Sequence, residues 1–182
     1  MEEALVWQAI SMFGDVQYWI GLVIGAFLIY IVLPAKEKKK VGWVVFALIP
    51  AAIFAFQLSY VLKLWFEIPR PCTDMSGCPT SYSFPSSHAA VIFAFAVVTS
   101  LNIKKRFVWL GTVALAVLVA YSRLALKYHT PLDVAAGSLV GVFSGFIIYQ
   151  AYKAYHSLDS DSEKSNLSKD SPKSRLSRFL GF

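Results

Sequence analysis

The stretch that decides the fold runs from residue 110 to 146: "LGTVALAVLVAY" (110–121), "SRLALKYHTPLD" (122–133) and "VAAGSLVGVFSGF" (134–146). Its two flanks are apolar enough to dissolve in hydrocarbon, yet the middle carries Arg123, Lys127, His129 and Asp133. Ionisable groups beside a membrane core are costly, and their presence there marks a functional site. The stretch therefore reads as two membrane helices joined by a chemically active turn.

Working outward, five stretches have spanning character: 16–35, 41–62, 84–101, 107–122 and 132–152. Each is close to the roughly 20 residues that cross about 30 Å of hydrocarbon. Trp19, Trp43, Trp65 and Trp109 fall near the ends of these runs, where amphipathic rings prefer to sit. Hydrophobic residues make up 57% of the 182-residue chain and charged residues 15%. A very hydrophobic soluble bundle is the competing reading, and five such runs in so short a chain disfavour it. The expected fold class is all-α, a polytopic transmembrane bundle of about five spanning helices.

Residues 1–15 hold Glu2 and Glu3 but no basic residue, so they lack the positive start of a signal peptide. Leu5, Ala9 and Met12, with Val6, Ile10 and Phe13, recur at helical spacing. They read as a short interfacial helix, with a partial sixth membrane element as the alternative. The transmembrane domain is expected over 16–156. From 157 the composition turns to serine and mixed charge, as in a disordered tail.

The net charge of +6 by itself suits nucleic acid or an anionic membrane surface. Its distribution favours the membrane and argues for no nucleic-acid partner. Lys36, Lys38, Lys39 and Lys40 follow the first apolar run, Lys104, Lys105 and Arg106 the third, and the remaining tail cations the fifth. Alternating crossings put these on one face, which the positive-inside rule makes cytoplasmic, tail included. All but four of the 17 lysines and arginines lie there. The other four, Lys63, Arg70, Arg123 and Lys127, gather on the opposite face, where topology does not ask for them. An anion does.

Three segments meet on that face. In "KLWFEIPRP" (63–71), Lys63 and Arg70 share a helix face if the helix persists that far, while Pro69 and Pro71 argue that it ends. A Lys63–Glu67 pair with an interfacial arginine is the plainer reading of this segment alone. In "FPSSHAAVIFAF" (84–95), Ser86 or Ser87 can cap a helix whose first turn holds His88. A helix N-terminus with unpaired N–H groups is a natural seat for phosphate. In the opening stretch, Thr130, Pro131 and Asp133 read as a capped helix start. Asp133 can equally orient the His129 imidazole four residues before it.

Taken together, Lys63-x6-Arg70-Pro71, Pro85-Ser86-Ser87-His88 and Ser122-Arg123-x5-His129-x3-Asp133 resemble the three-part signature of the type 2 phosphatidic acid phosphatase superfamily. The resemblance covers about 70 residues in the family's order. It departs at Ser87, where the family usually has glycine. It implies an integral-membrane lipid phosphatase with catalytic residues His129 (nucleophile), His88 (general acid) and Asp133 (orienting). Lys63, Arg70, Arg123, Ser86 and Ser87 would bind phosphate, and Lys127 is a candidate headgroup contact. No cofactor and no metal are implied.

The implied partner is a lipid phosphate or diphosphate, foremost a polyprenyl diphosphate. Phosphatidate or phosphatidylglycerophosphate is the alternative substrate, and phosphotransfer the alternative reaction. The expected location is the plasma membrane with the site on the non-cytoplasmic face. Cys72 and Cys78, both in the loop over the site, can pair on an oxidising face or remain free thiols. The sequence leaves the oligomeric state open.

Overall fold

The computed structural model describes residues 2–14, 16–73 and 77–169. Among them every regular element is helical: α1 (Glu2–Ser11), a 3₁₀ turn (Met12–Gly14), α2 (Val16–Val32), α3 (Ala35–Trp43), a π-helical turn (Val44–Leu48), α4 (Ile49–Phe66), α5 (Ser87–Asn102), α6 (Arg106–Ala125) and α7 (Pro131–Lys169). Contacts divide the chain into Met1–Tyr149 and Gln150–Phe182.

Proline and caps set the breaks. Pro34 separates α2 from α3, and from Val41 the chain runs helically to Phe66. That helix closes on Glu67, whose left-handed backbone (φ 46°) lets its N–H return to the Lys63 carbonyl at 3.0 Å. Lys63 and Arg70 therefore do not share a helix face; they converge from a helix and a loop. Lys36 and Lys38 sit on α3 rather than in a loop.

Three helical stretches are long and apolar enough to cross a membrane: Val41–Phe66, Arg106–Ala125 and Pro131–Leu158. The other two expected crossings appear as shorter helices, Val16–Val32 with 17 residues and Ser87–Asn102 with 16. At about 1.5 Å per residue these reach some 24–26 Å. α7 continues to Lys169, past the boundary expected at 157, and no proline or glycine interrupts it between Phe146 and Ser171. The rest of the expected tail lies outside the described residues. Within the second unit, the rings of Tyr152 and His156 meet edge to face at 4.6 Å.

The first unit is built inside out. Its interior is lined by small side chains such as Ala51, Ala55, Ala89, Ala90, Ala94 and Ala116, while Phe107, Trp65 and Leu139 are 87%, 81% and 71% exposed. Lipid chains offer large apolar residues no penalty, so bundles in membranes pack through small ones. The α5–α7 contact shows this most clearly. A Cβ placed on Gly137, Gly141 or Gly145 would run into the carbonyl of Ser86, Ala90 or Ala94, so the two backbones touch along three turns. A satellite cluster of Ile92, Ala96, Ala116 and Val119 joins α5 to α6, with Ile10 of α1 packed on it.

Candidate active site

The α5–α7 contact brings the first turns of both helices together at one end of the bundle. Ser86 caps α5, its Oγ accepting from Ala89 N–H at 3.5 Å, and its own N–H donates to the Asp133 carbonyl at 2.9 Å. α7 starts with a reciprocal cap. Thr130 N–H donates to Asp133 Oδ2 at 2.7 Å, and Asp133 N–H to Thr130 Oγ1 at 3.3 Å. Asp133 Oδ2 also accepts from Ser83 Oγ at 2.5 Å and stands 3.6 Å from His129 Nδ1. The oxygen that caps α7 is thus also the one nearest the His129 imidazole.

His129 is buried between this carboxylate and a guanidinium. Arg70 Nη1 lies 3.0 Å from His129 Nε2 and 3.0 Å from the Tyr128 carbonyl. Arginine only donates, so Nε2 receives this bond through its lone pair, and the ring proton belongs on Nδ1, toward Ser83 Oγ (3.5 Å) and Asp133. Burial, and after it the charges of Arg70, Lys63 and Arg123 with His88, hold the His129 pKa well below the usual imidazole value. A neutral imidazole with a lone pair on Nε2 is a nucleophile ready for use.

The other cations are fixed through neutral oxygens. Lys63 Nζ donates to the carbonyls of Tyr82 (2.8 Å) and Ser83 (2.9 Å). Arg70 Nε donates to the Ser81 carbonyl (2.7 Å) and Nη2 to Ser81 Oγ (2.9 Å). Arg123, on the last turn of α6, donates to Ser11 Oγ and lies with its guanidinium carbon 4.9 Å from the Tyr128 ring centroid. A cavity of about 150 Å³ opens among Lys63, Arg70, Ser81, Ser87, His88 and His129, with Gly14 in its wall. Ser87 Oγ is 2.9 Å from Ser59 Oγ on α4. Lys127 is exposed in a left-handed turn (φ 54°) and does not line the cavity.

The loop over the cavity is tied down at several points. Ser83 N–H donates to the Ile68 carbonyl at 2.7 Å, the Phe66 and Phe84 rings meet at 5.0 Å, and Cys72 is bonded to Cys78. The Phe84–Pro85 peptide is cis. Of the two states open to the cysteines, the structure takes the disulfide. Ser11, Gly14, Ser59, Ser81 and Ser83 contribute to the site without having been expected from the sequence. The loop serines carry no periodic signal, and the N-terminal residues lie far from the motifs along the chain.

This is the arrangement of a known family. The family model described as the PAP2 superfamily matches residues 40–157, and the chain belongs to that family. It is 33% identical over 144 residues to an undecaprenyl-diphosphatase of Sulfolobus acidocaldarius, which covers 78% of this chain and 66% of that protein. It is 35% identical over 108 residues to dolichyldiphosphatase 1 of Dictyostelium discoideum, covering 53% and 47% respectively. The chain thus spans about half to two thirds of the length of these curated relatives. Among solved structures, LpxE of Aquifex aeolicus superposes with a TM-score of 0.65 at 28% identity, over 81% of this chain and 85% of that one. A transmembrane PAP2-type phosphatidylglycerolphosphate phosphatase of Bacillus subtilis gives the same TM-score at 22% identity, over 83% and 77%, a likeness of fold. The expected family and the all-helical transmembrane class both hold.

Proposed function

We propose that the chain is an integral-membrane lipid phosphatase that hydrolyses a polyprenyl diphosphate through a phosphohistidine. The observation that carries this reading is the contact of His129 Nε2 with Arg70 at the wall of a cavity that also holds Lys63 and His88. When the terminal phosphoryl group enters, Arg70 turns its Nη1 from Nε2 to a phosphate oxygen. The freed lone pair attacks phosphorus in line. The Nε2–P bond forms as the bond to the bridging oxygen breaks, and His88 gives that oxygen a proton. Lys63, Arg70 and Arg123, with Ser86 and Ser87 at the start of α5, offset the charge on the equatorial oxygens. Water then releases phosphate and restores His129.

The diphosphate preference is supported by the relatives named above, one for undecaprenyl and one for dolichyl diphosphate. The site is assigned to the non-cytoplasmic face of the plasma membrane, with the tail cytoplasmic. The lopsided distribution of basic residues and the Cys72–Cys78 disulfide beside the site support that placement. Lys127, exposed and outside the cavity lining, is assigned to the lipid headgroup.

The test is phosphate release from purified protein in detergent with EDTA, comparing polyprenyl diphosphate, polyprenyl monophosphate and phosphatidate. The expected result is release that EDTA leaves intact, favours the diphosphate, and is lost in His129→Ala. Release from none of the three by folded protein overturns the hydrolase reading. Preference for phosphatidate reassigns the substrate.

A further inference from the structure

Residues 2–14 fall outside the stretch that the family model matches, yet they reach the centre of the site. Trp7 stacks edge to face on Tyr121 of α6 at 5.2 Å, and Ile10 packs on the α5–α6 cluster. This places Ser11, itself buried, against the Arg123 guanidinium. The chain then turns through Met12–Gly14, and Gly14 closes on His88. A Cβ at position 14 would lie 2.7, 2.9 and 3.0 Å from His88 Cδ2, Cβ and Cγ, closer than packed carbon atoms approach. Gly14 also lines the reaction cavity. No positive φ is involved; the position demands space.

We infer that the N-terminal helix and its turn are part of the active site, with Gly14 a positioning residue for the His88 imidazole and Ser11 one for the Arg123 guanidinium. This rests on the phosphatase reading and deepens it. His88 has to deliver its proton to the leaving oxygen as the P–O bond breaks. Bare backbone at position 14 fixes the wall against which the ring lies. One methyl group there displaces the ring from that path. The helix expected to rest at the interface therefore has a second task, carried by its last residue and the turn that follows.

The distinguishing readout is the leaving group. 4-Nitrophenyl phosphate releases a stabilised phenolate that needs little help from an acid, whereas 4-nitrobenzyl phosphate releases an alkoxide that needs the proton. Gly14→Ala is expected to lower kcat for the benzyl ester roughly 10- to 100-fold, a partial loss of the ~10²–10⁴-fold that a general acid contributes. The phenyl ester should stay within about threefold of wild type, because nucleophilic attack by His129 is untouched. Adding His88→Ala to Gly14→Ala should cost the benzyl ester nothing beyond His88→Ala alone, since both remove one proton delivery. Gly111→Ala, whose Cβ meets open space, serves as the control for helical glycine substitution. Ser11→Ala should weaken inhibition by inorganic phosphate roughly tenfold or more, the scale of one hydrogen bond to a charged group.

Equal losses on both esters, or additivity with His88→Ala, overturn the inference, because either is the mark of general destabilisation. So does a Gly14→Ala enzyme with wild-type rates on both. A wild-type protein that cleaves neither these esters nor polyprenyl diphosphate instead defeats the phosphatase reading, and this inference falls with it.

Discussion

The two basic clusters of this chain contain the same residue types in opposite surroundings. Lys104, Lys105 and Arg106, at the turn between α5 and α6, are exposed. Lys63 on α4, Arg70 in the following loop and Arg123 at the far end of α6 are 5%, 8% and 4% exposed, held by carbonyls, hydroxyls and an aromatic ring. Charges in water cost little and serve topology. Among the described residues, Lys63, Arg70 and Arg123 are buried with Asp133 as the carboxylate beside them, and burying like charges together carries a desolvation cost. The first cluster is of the kind that sets topology, and the second suits the anion proposed for it.

Several experiments would break or sharpen that contrast. The largest of these effects is expected from Arg70→Ala, which removes the donor that contacts His129 Nε2 and is proposed to pass to the phosphate. kcat/KM should fall roughly 10²–10³-fold, the scale of one preorganised charge-stabilising contact. Arg70→Lys should recover little of it, because an ammonium lacks the fork that holds Ser81, Tyr128 and His129 together. If the buried cluster awaits an anion, orthovanadate or inorganic phosphate should raise the thermal midpoint. A concentration of about 100 Kd adds roughly 2.7 kcal/mol to a ligand-binding native state. No shift at any concentration would mean that the cations are satisfied as they stand.

A smaller effect concerns pH. The folded state holds His129 neutral well below its ordinary value of 6.5, whereas the unfolded chain protonates it near that value. The unfolded state therefore binds the extra proton below about pH 6.5. Stability should fall as pH drops below it, by at most about 1.4 kcal/mol per unit for one proton. His129→Gln should flatten this limb, which denaturant titrations at pH 7.5, 6 and 5 would reveal. An unchanged slope would place the acid sensitivity elsewhere. The smallest effect is expected at the exposed end. Replacing Lys104, Lys105 and Arg106 together with alanine should leave kcat within about twofold, since surface charges contribute little locally.

The sequence made the site legible through residue types that are expensive where they occur. Arg123, His129 and Asp133 stand out because their neighbours are oil, and His88 because it follows a helix cap. The all-helical class followed from run lengths alone. What stayed hidden was inexpensive or nonlocal. Ser81 and Ser83 are ordinary loop residues until folding brings their hydroxyls to Arg70 and Asp133. Ser11 is 112 positions from Arg123 and Gly14 lies in a different segment from His88, and no spacing rule links them. The break at Glu67 shows the limit of periodicity. A seven-residue interval gave Lys63 and Arg70 a shared face only if the helix persisted, Pro69 and Pro71 argued that it ends, and the left-handed cap at Glu67 ends it.

The glycine ladder of α7 has one more consequence. Because Gly137, Gly141 and Gly145 bring its backbone against α5, the spacing of the two helices is set by main chain rather than by side chains that can change rotamer. Bilayers of different thickness make helices tilt, but a pair locked backbone to backbone tilts as one body. The spacing between the first turns of α5 and α7 is thereby expected to hold as the surrounding lipids vary.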